Sequence, residues 1–315
     1  MLSRTAETLY WTARYIERAD TLARNLEVAY RMSLMPSVSS ASGSEWQSIL
    51  ATSNLIDAYN AEFDEVNQTN IEKFLVYSTS NQASIRHCIR AARNNAREVR
   101  TALTSDVWSA LNQMYLDFNV IANDSKSLEL PALCDWVKQH ASTVRGSFFS
   151  TQLRSEGFDF FNLGTHIERS DNTARILDIK YYVLLPTIEM VGGGVDRYQW
   201  TTLLRAMSSY RSYYWLYSGD YSAEKIADFF ILNRSCPRSL QFCVIQAAHH
   251  LEMLSSAHGR YNEAQMLALK LKDELSTVKI NEIIDQGLHE FLQGFLASTH
   301  RLNQEISQSF LFGTN

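Results

Sequence analysis

An all-α fold is predicted by three features of the sequence. Turn-forming residues are scarce, with 12 glycines and four prolines among 315 residues, about 5% against the roughly 12% of average usage. Sheet-rich chains need turns every few residues, so the shortage favours long helices with few breaks. Apolar residues also recur at helical spacing over long segments, starting with the first thirty residues. Finally, one of these segments is written twice. A composition of 45% apolar and 20% charged residues fits a globular chain with a real core and argues against disorder and coiled coil.

A first helix is expected from a Ser3 cap to about Ser33, followed by a loop over Pro36–Gly43. Helices follow near 45–60 and 70–78. The second opens on a capping box, Thr69 with Glu72 three residues on, each side chain satisfying the other's backbone amide. Further helices are expected near 83–103, 105–122, 131–153, 156–185, 196–217, 222–231, 238–257, 261–274 and 276–310, with a second loop at VGGGVD, residues 191–196.

The duplication is read directly from the residues. YIERADTLARNLEVAY (15–30) matches HIERSDNTARILDIKY (166–181) at an offset of 151. Ile16, Glu17, Arg18, Asp20, Ala23, Arg24, Leu26 and Tyr30 recur as Ile167, Glu168, Arg169, Asp171, Ala174, Arg175, Leu177 and Tyr181. Residues 72–92 match 227–247 at offset 155, aligning Phe74 with Phe229, Ser84 with Ser239 and Cys88 with Cys243. Between these blocks, Trp46 matches Trp200 and Tyr59 matches Tyr213 at offset 154. Ordered matches with slight drift are what duplication with loop insertions produces. The expected architecture is a helical bundle of two halves, residues 1–150 and 151–315, related by a pseudo-twofold axis within one compact unit.

A net charge of −5 gives no bulk attraction to nucleic acid or anionic lipid. Met1 opens an amphipathic segment with Arg4, Glu7, Arg14 and Glu17, which is no signal-peptide core. No apolar run reaches the roughly 18 residues of a membrane span. Four cysteines without a secretion signal read as reduced thiols, and a cytoplasmic location is expected. Cys88 and Cys243 read as small buried hydrophobes.

At 100° per residue, Leu9, Ile16, Ala19, Ala23, Leu26 and Tyr30 form a core stripe on the first helix. Glu17, Asp20 and Arg24 form a charged column at its edge, repeated by Glu168, Asp171 and Arg175; Arg18 and Arg169 lie further round. Charge at the edge of a helix contact must find opposite charge. Two readings are open. One is an ion-pair lattice joining the halves, Glu17 with Arg175 or Arg169 and Glu168 with Arg24 or Arg18. The other is a polar pocket for a charged ligand, with Glu17 or Glu168 as the candidate catalytic acids.

A second charged feature occurs only once. Arg86, Arg90, Arg93, Arg97 and Arg100 alternate by four and three residues along SIRHCIRAARNNAREVR (84–100), which puts all five on one face. Acids on neighbouring helices (Glu17, Asp20 or Asp117) could neutralise them, or the face could bind an anion or a partner, for which arginine is well suited. RNA is a weaker option, because no aromatic residues interleave with the arginines on this helix.

No G-x-S-x-G, Walker A, G-x-G-x-x-G or C-x-x-C motif occurs, nor the Glu-x-x-His pairs of a di-iron bundle. No metal or other cofactor is expected. His166 lacks a counterpart at Tyr15, and His249 and His250 are expected to point to different faces. The tyrosines Tyr198, Tyr210, Tyr213, Tyr214, Tyr217 and Tyr221 fit either a groove or core packing.

The opening MLSRTAETLYWTARYIERADTLARNL, the ARNNAREVR segment (92–100), SDVWSALNQMYL with Trp108 and Asn112, and NRSCPRSLQFC (233–243) resemble the bacterial alpha-E family, and the resemblance spans essentially the whole chain. It implies a helical domain with a characteristic Glu-Arg motif, acting as companion to a circularly permuted ATP-grasp protein, with transglutaminase-like peptidases in attendance. ATP-grasp enzymes activate a carboxylate as an acyl phosphate and pass it to an amine, so the implied context is peptide or amide synthesis. Within it the chain is expected to be a non-catalytic partner. Arg93, Asn95, Arg97, Arg100 and Asn112 would bind an acidic substrate group or the ligase itself. The Glu-Arg columns (Arg18, Asp20, Arg24, Arg169, Asp171, Arg175) would hold the halves together or line a pocket. The alternative is an enzyme using Glu17 or Glu168 in amide formation or hydrolysis.

Overall fold

Two long helices form the centre of the chain in the computed structural model, which describes residues 1–34, 44–123, 128–184, 193–259 and 261–313. They are α1 (Ser3–Ser33) and α8 (Glu156–Leu184). Around α1 lie α2 (Ser44–Thr52), α3 (Ile56–Asn60), α4 (Gln68–Glu72), α5 (Ile85–Glu98), α6 (Ser105–Asn123) and α7 (Leu130–Thr151). Around α8 lie α9 (Gly194–Ala206), α10 (Tyr210–Tyr217), α11 (Ala223–Ile231), α12 (Leu240–His258), α13 (Glu263–Thr277), α14 (Ile280–Gln286) and α15 (Leu288–Ser309). No strand occurs among the described residues, so the fold is all-α. No helix among them is long and apolar enough to cross a membrane. The Pro36–Gly43 loop and residues 191–192 lie outside the described residues.

Several element boundaries differ from expectation. Leu2, not Ser3, holds the N-cap position of α1, and no side chain caps it. The box at Thr69 and Glu72 does not form; Asn67 caps α4 by accepting the Asn70 amide, and the Glu72 carboxylate accepts from Gln68. Residues 73–77 continue α4 as a π-helical turn. Three long expected helices are each split in two by a residue at positive φ: Asn54 after α2, Ser208 after α9, and Gly287 between α14 and α15. Only the glycine takes that conformation without steric cost.

Contacts between α1 and α8 advance in the same direction along both: Tyr10 with Gly164, Arg18 with Glu168, Glu17 with Arg169, and Thr21 with Asn172. The two helices therefore run parallel. Each also enters the other's surroundings. Phe158 and Phe161 of α8 pack into the core built on α1, α5, α6 and α7, while Ala6 and Tyr10 of α1 join Leu251, Ala268 and Leu302 in the core on the α8 side.

Two of the aligned pairs make matching contacts. Ser84 and Ser239 cap α5 and α12, and their hydroxyls donate to the Ser78 and Asn233 carbonyls. Tyr59 and Tyr213 are fully buried, donate to the Glu65 and Asp220 carbonyls, and meet Phe74 and Phe229 edge-on. Tyr210, Tyr217 and Tyr221 pack onto the same core as Tyr213, whereas Tyr198 and Tyr214 are exposed. All four cysteines are buried and unbridged, and burial pushes the thiols of Cys88, Cys134 and Cys243 up to about 12.

Gly164 lies where α1 and α8 approach closely: a Cβ there would lie 2.4 Å from the Tyr10 carbonyl oxygen. Backbone cannot rotate away as a side-chain tip can, so the helices would have to separate. Gly164→Ala is expected to cost roughly 1–3 kcal/mol, read as a lowered denaturant midpoint, whereas Gly146→Ala, with open space around its Cβ, should not destabilise the fold.

Candidate functional site

The charged column of α1 lies at the centre of the molecule, not at the edge of an apolar stripe. Glu17 and Asp20 are both 0% exposed. Arg169 grips Glu17 with two hydrogen bonds, Nε to Oε1 at 2.8 Å and Nη2 to Oε2 at 2.9 Å. Arg145 of α7 donates to Glu17 at 2.9 Å. Arg238, just before α12, spans the two acids at 3.4 Å from Glu17 and 2.8 Å from Asp20. Arg24 closes the cluster on Asp20 at 3.1 and 3.2 Å and donates to the Ala206 carbonyl and the Ser208 hydroxyl.

The second Glu-Arg pair is bonded reciprocally. Glu168 accepts from Arg18 at 2.7 and 3.1 Å and from Arg14 at 2.7 Å. Arg14 is also held by Asn303 and lies over the Trp11 ring. Asp171 pairs with Arg175 within α8, and Arg175 reaches the Thr52 carbonyl at 2.7 Å. Of the expected inter-helix pairings, Glu17 takes Arg169 rather than Arg175, and Glu168 takes Arg18 rather than Arg24. Arg24 and Arg175 each fold back on the aspartate four residues earlier. Arg18 and Arg169, expected further round, reach the crossing because a guanidinium on a long stem can extend along the helix surface. A polar notch of about 220 Å³ lies beside this second cluster, lined by Arg18, Glu168, Asp171, Asn172 and Arg175.

Burial alone would raise the pKa of these acids, and the guanidiniums reverse the effect. Glu17 is held well below the usual carboxylate range by Arg169, Arg145 and Arg238. Glu168 is lowered to about 2 by Arg18 and Arg14. Asp20 is lowered by Arg24, Arg238 and Arg145. All three are therefore permanent carboxylates at neutral pH.

The five arginines do not form one helical face as expected: α5 ends at Glu98, Arg100 follows in a 3-10 turn, and the side chains divide among different surroundings. Arg93 donates to the Asn112 side chain at 3.3 Å and lies over Tyr115 and Trp108 at 5.1 and 5.6 Å. Arg100 lies over Trp108 at 5.1 Å. Arg86 reaches the Tyr77 carbonyl and Arg90 the His87 ring, while Arg97 is exposed. None of the five forms an ion pair among the described residues, so Glu17, Asp20 and Asp117 do not neutralise them. Their aromatic partners come from α6 rather than α5. Asn95 does not join this face; with Arg4, Trp11, Tyr15 and Glu98 it lines a separate groove of about 480 Å³.

A cavity of about 630 Å³ opens beside the Glu17 cluster between α7, α8 and α12. Arg145, Arg154, Arg169, His166, His249 and His250 line it. Both adjacent histidines border it, the exposed His249 and the buried His250, from the different faces of α12 that were expected. No group of His, Cys, Asp and Glu side chains suited to a metal ion occurs among the described residues. Sequence reasoning missed Arg14, Arg145, Arg238 and this histidine set. Arg14 continues the Glu17 column at the same three-residue spacing and was available as a signal. Arg145 and Arg238 arrive from 128 and 221 residues away, and local periodicity carries no trace of them.

Replacing Glu17 with Gln removes a fully buried charge and leaves Arg169 and Arg145 without their main partner. A loss of about 3–5 kcal/mol is expected, measured by chemical denaturation. The pH dependence should show two stages. Burial, with Arg169 and His250 nearby, holds the His166 pKa well below 6.5, so the unfolded chain takes up that proton first. Stability is then intact above pH 6.5 and falls as pH drops, by about 1.4 kcal/mol per unit for one proton. His87 and His140, also lowered, add in the same sense. Below the ordinary glutamate value of 4.5, Glu17 and Glu168 steepen the loss, which for Glu168 continues to about 2. In His166→Gln the decline between pH 6.5 and 4.5 should flatten.

One family model, described as a predicted alpha-helical domain with a conserved ER motif, matches residues 1–311. No curated protein and no solved structure shows significant similarity to the chain. Glu-Arg occurs in this sequence at 17–18 and 168–169, the two dipeptides that exchange ion pairs at the α1–α8 crossing. With 311 of its 315 residues matched, the chain belongs to the Alpha-E family.

Proposed function

We propose that this Alpha-E protein is a non-catalytic helical partner of a circularly permuted ATP-grasp protein in an amide- or peptide-forming system, docking through the arginine face of α5 and the adjoining surface of α6. The observation that carries the reading is a set of five arginines, four on α5 and Arg100 just past its end, with no carboxylate partner among the described residues. Arg93 and Arg100 are braced against Trp108 and Tyr115, so their guanidiniums are positioned before any partner arrives. One turn beyond Asn112, α6 exposes Leu116, and another turn on it exposes Val120. Fixed arginines beside aromatic and aliphatic side chains are the groups that concentrate binding energy in protein interfaces. A transglutaminase-like peptidase acting on the same products would be a further associate.

The state of the two candidate acids supports a binding role over a catalytic one. A general acid or base works best with a pKa near the operating pH. Glu17 and Glu168 are pushed the other way, and guanidiniums already occupy their oxygens.

Co-expression with a circularly permuted ATP-grasp protein, followed by affinity purification, tests this reading. The wild-type chain should retain the ligase, and the triple variant Arg93→Glu, Arg97→Glu, Arg100→Glu should lose at least about tenfold in affinity with unchanged thermal stability. Equal retention by both chains would remove the docking role from α5.

A further inference from the structure

The cavity between α7, α8 and α12 carries a charge imbalance that the protein itself does not resolve. The cluster behind it contains two carboxylates, Glu17 and Asp20, and four guanidiniums, those of Arg24, Arg145, Arg169 and Arg238. Two positive charges are in excess, and Arg145 and Arg169 form part of the cavity wall. Their side chains are only 20% and 13% exposed, so water screens them poorly and a counter-anion is strongly favoured.

A third guanidinium lies at the rim. Arg154 is held by the Phe149 and Gln152 carbonyls at 2.7 and 3.2 Å and lies 4.0 Å over the Phe158 ring. It has no acidic partner among the described residues. Asp159 is the sole carboxylate in the described lining, and the His250 ring takes one of its oxygens at 2.9 Å. His166, at 9% exposure, leaves its buried Nδ1 without a hydrogen-bond partner. Between these polar groups the wall is apolar, formed by Phe148, Phe149, Phe158, Phe161, Phe242 and Met253. The volume of about 630 Å³ lies within the range of small-molecule sites.

We propose that this cavity binds a small organic anion with a carboxylate or phosphate head and an apolar, ring-sized body. The head would sit between Arg145, Arg169 and Arg154, where planar guanidiniums match both oxyanion types. The body would lie against the phenylalanine wall. This inference does not depend on the docking face, since the cavity shares no residue with α5 or α6.

Calorimetric titration of the full chain with four probes tests it: N-benzoyl-glutamate, phenyl phosphate, inorganic phosphate and benzyl alcohol. One or both aryl anions should bind saturably, at least about tenfold tighter than inorganic phosphate, and benzyl alcohol should give no saturable signal. The better of the two identifies the head group. Arg154→Gln and Phe149→Ala alter exposed side chains and should fold normally, each weakening the aryl anion at least about threefold. Saturation should also shift the His166 imidazole resonances. Failure of both aryl anions to saturate at millimolar concentration, equal affinity for inorganic phosphate, or unchanged affinity in both variants would overturn the proposal. Equal ATP-grasp retention by the wild-type chain and the triple arginine variant, with aryl-anion binding intact, would overturn the docking reading alone.

Discussion

The structure depends on an exchange of charge between two parallel helices. Glu17 of α1 is bonded to Arg169 of α8, and Glu168 of α8 to Arg18 of α1. Neither dipeptide can satisfy itself, because adjacent residues on a helix diverge by about 100°. Each glutamate is met from the other helix, and burying the pairs at the crossing fixes both the register and the rotation of α1 against α8. A hydrophobic interface tolerates small slips; a bidentate guanidinium–carboxylate contact has one geometry. Gly164 acts with this constraint, since the backbones can approach closely enough for the pairs to form only where no Cβ intervenes.

The two clusters differ in how they are completed. Around Glu168 the extra guanidinium is Arg14, on α1 itself. Around Glu17 the extra guanidiniums come from α7 and from the residue before the α12 cap. The position aligned with Arg238 is Ala83, which lines the small notch beside Glu168. One side is thus a compact contact with a single guanidinium in excess and a small notch beside it. The other is arginine-rich and opens onto a large cavity.

The helical class, an exchange of ion pairs between α1 and α8, and the buried cysteines were legible in the sequence because they follow from composition, spacing and self-similarity; which arginine each glutamate takes was left open between Arg169 and Arg175 and between Arg18 and Arg24. The breaks at Asn54 and Ser208 were not, since either residue fits within a helix and its left-handed conformation is imposed by packing of the flanking helices. The cap at Asn67 was passed over because Thr69 with Glu72 satisfies the motif equally well on paper. The candidate site was only partly visible: α1 and α8 could be read as partners, but the guanidiniums that make their crossing electropositive come from elements whose placement no periodicity encodes. The aromatic bracing of Arg93 and Arg100 was hidden for the same reason, with the rings one helix away.

The interlocking of α1 and α8 also affects the order in which the chain can be completed during synthesis. When the first half has emerged, Glu17 has Arg145 available, but Arg169 and Arg238 have not yet been made, and Arg14 and Arg18 have no Glu168. The nascent half therefore carries unmatched charge along the helix that must become its innermost element, and that charge favours keeping α1 hydrated at the ribosome surface. Completion of the cluster has to wait for residue 238, 221 residues beyond Glu17, which makes assembly a late event that joins distant segments.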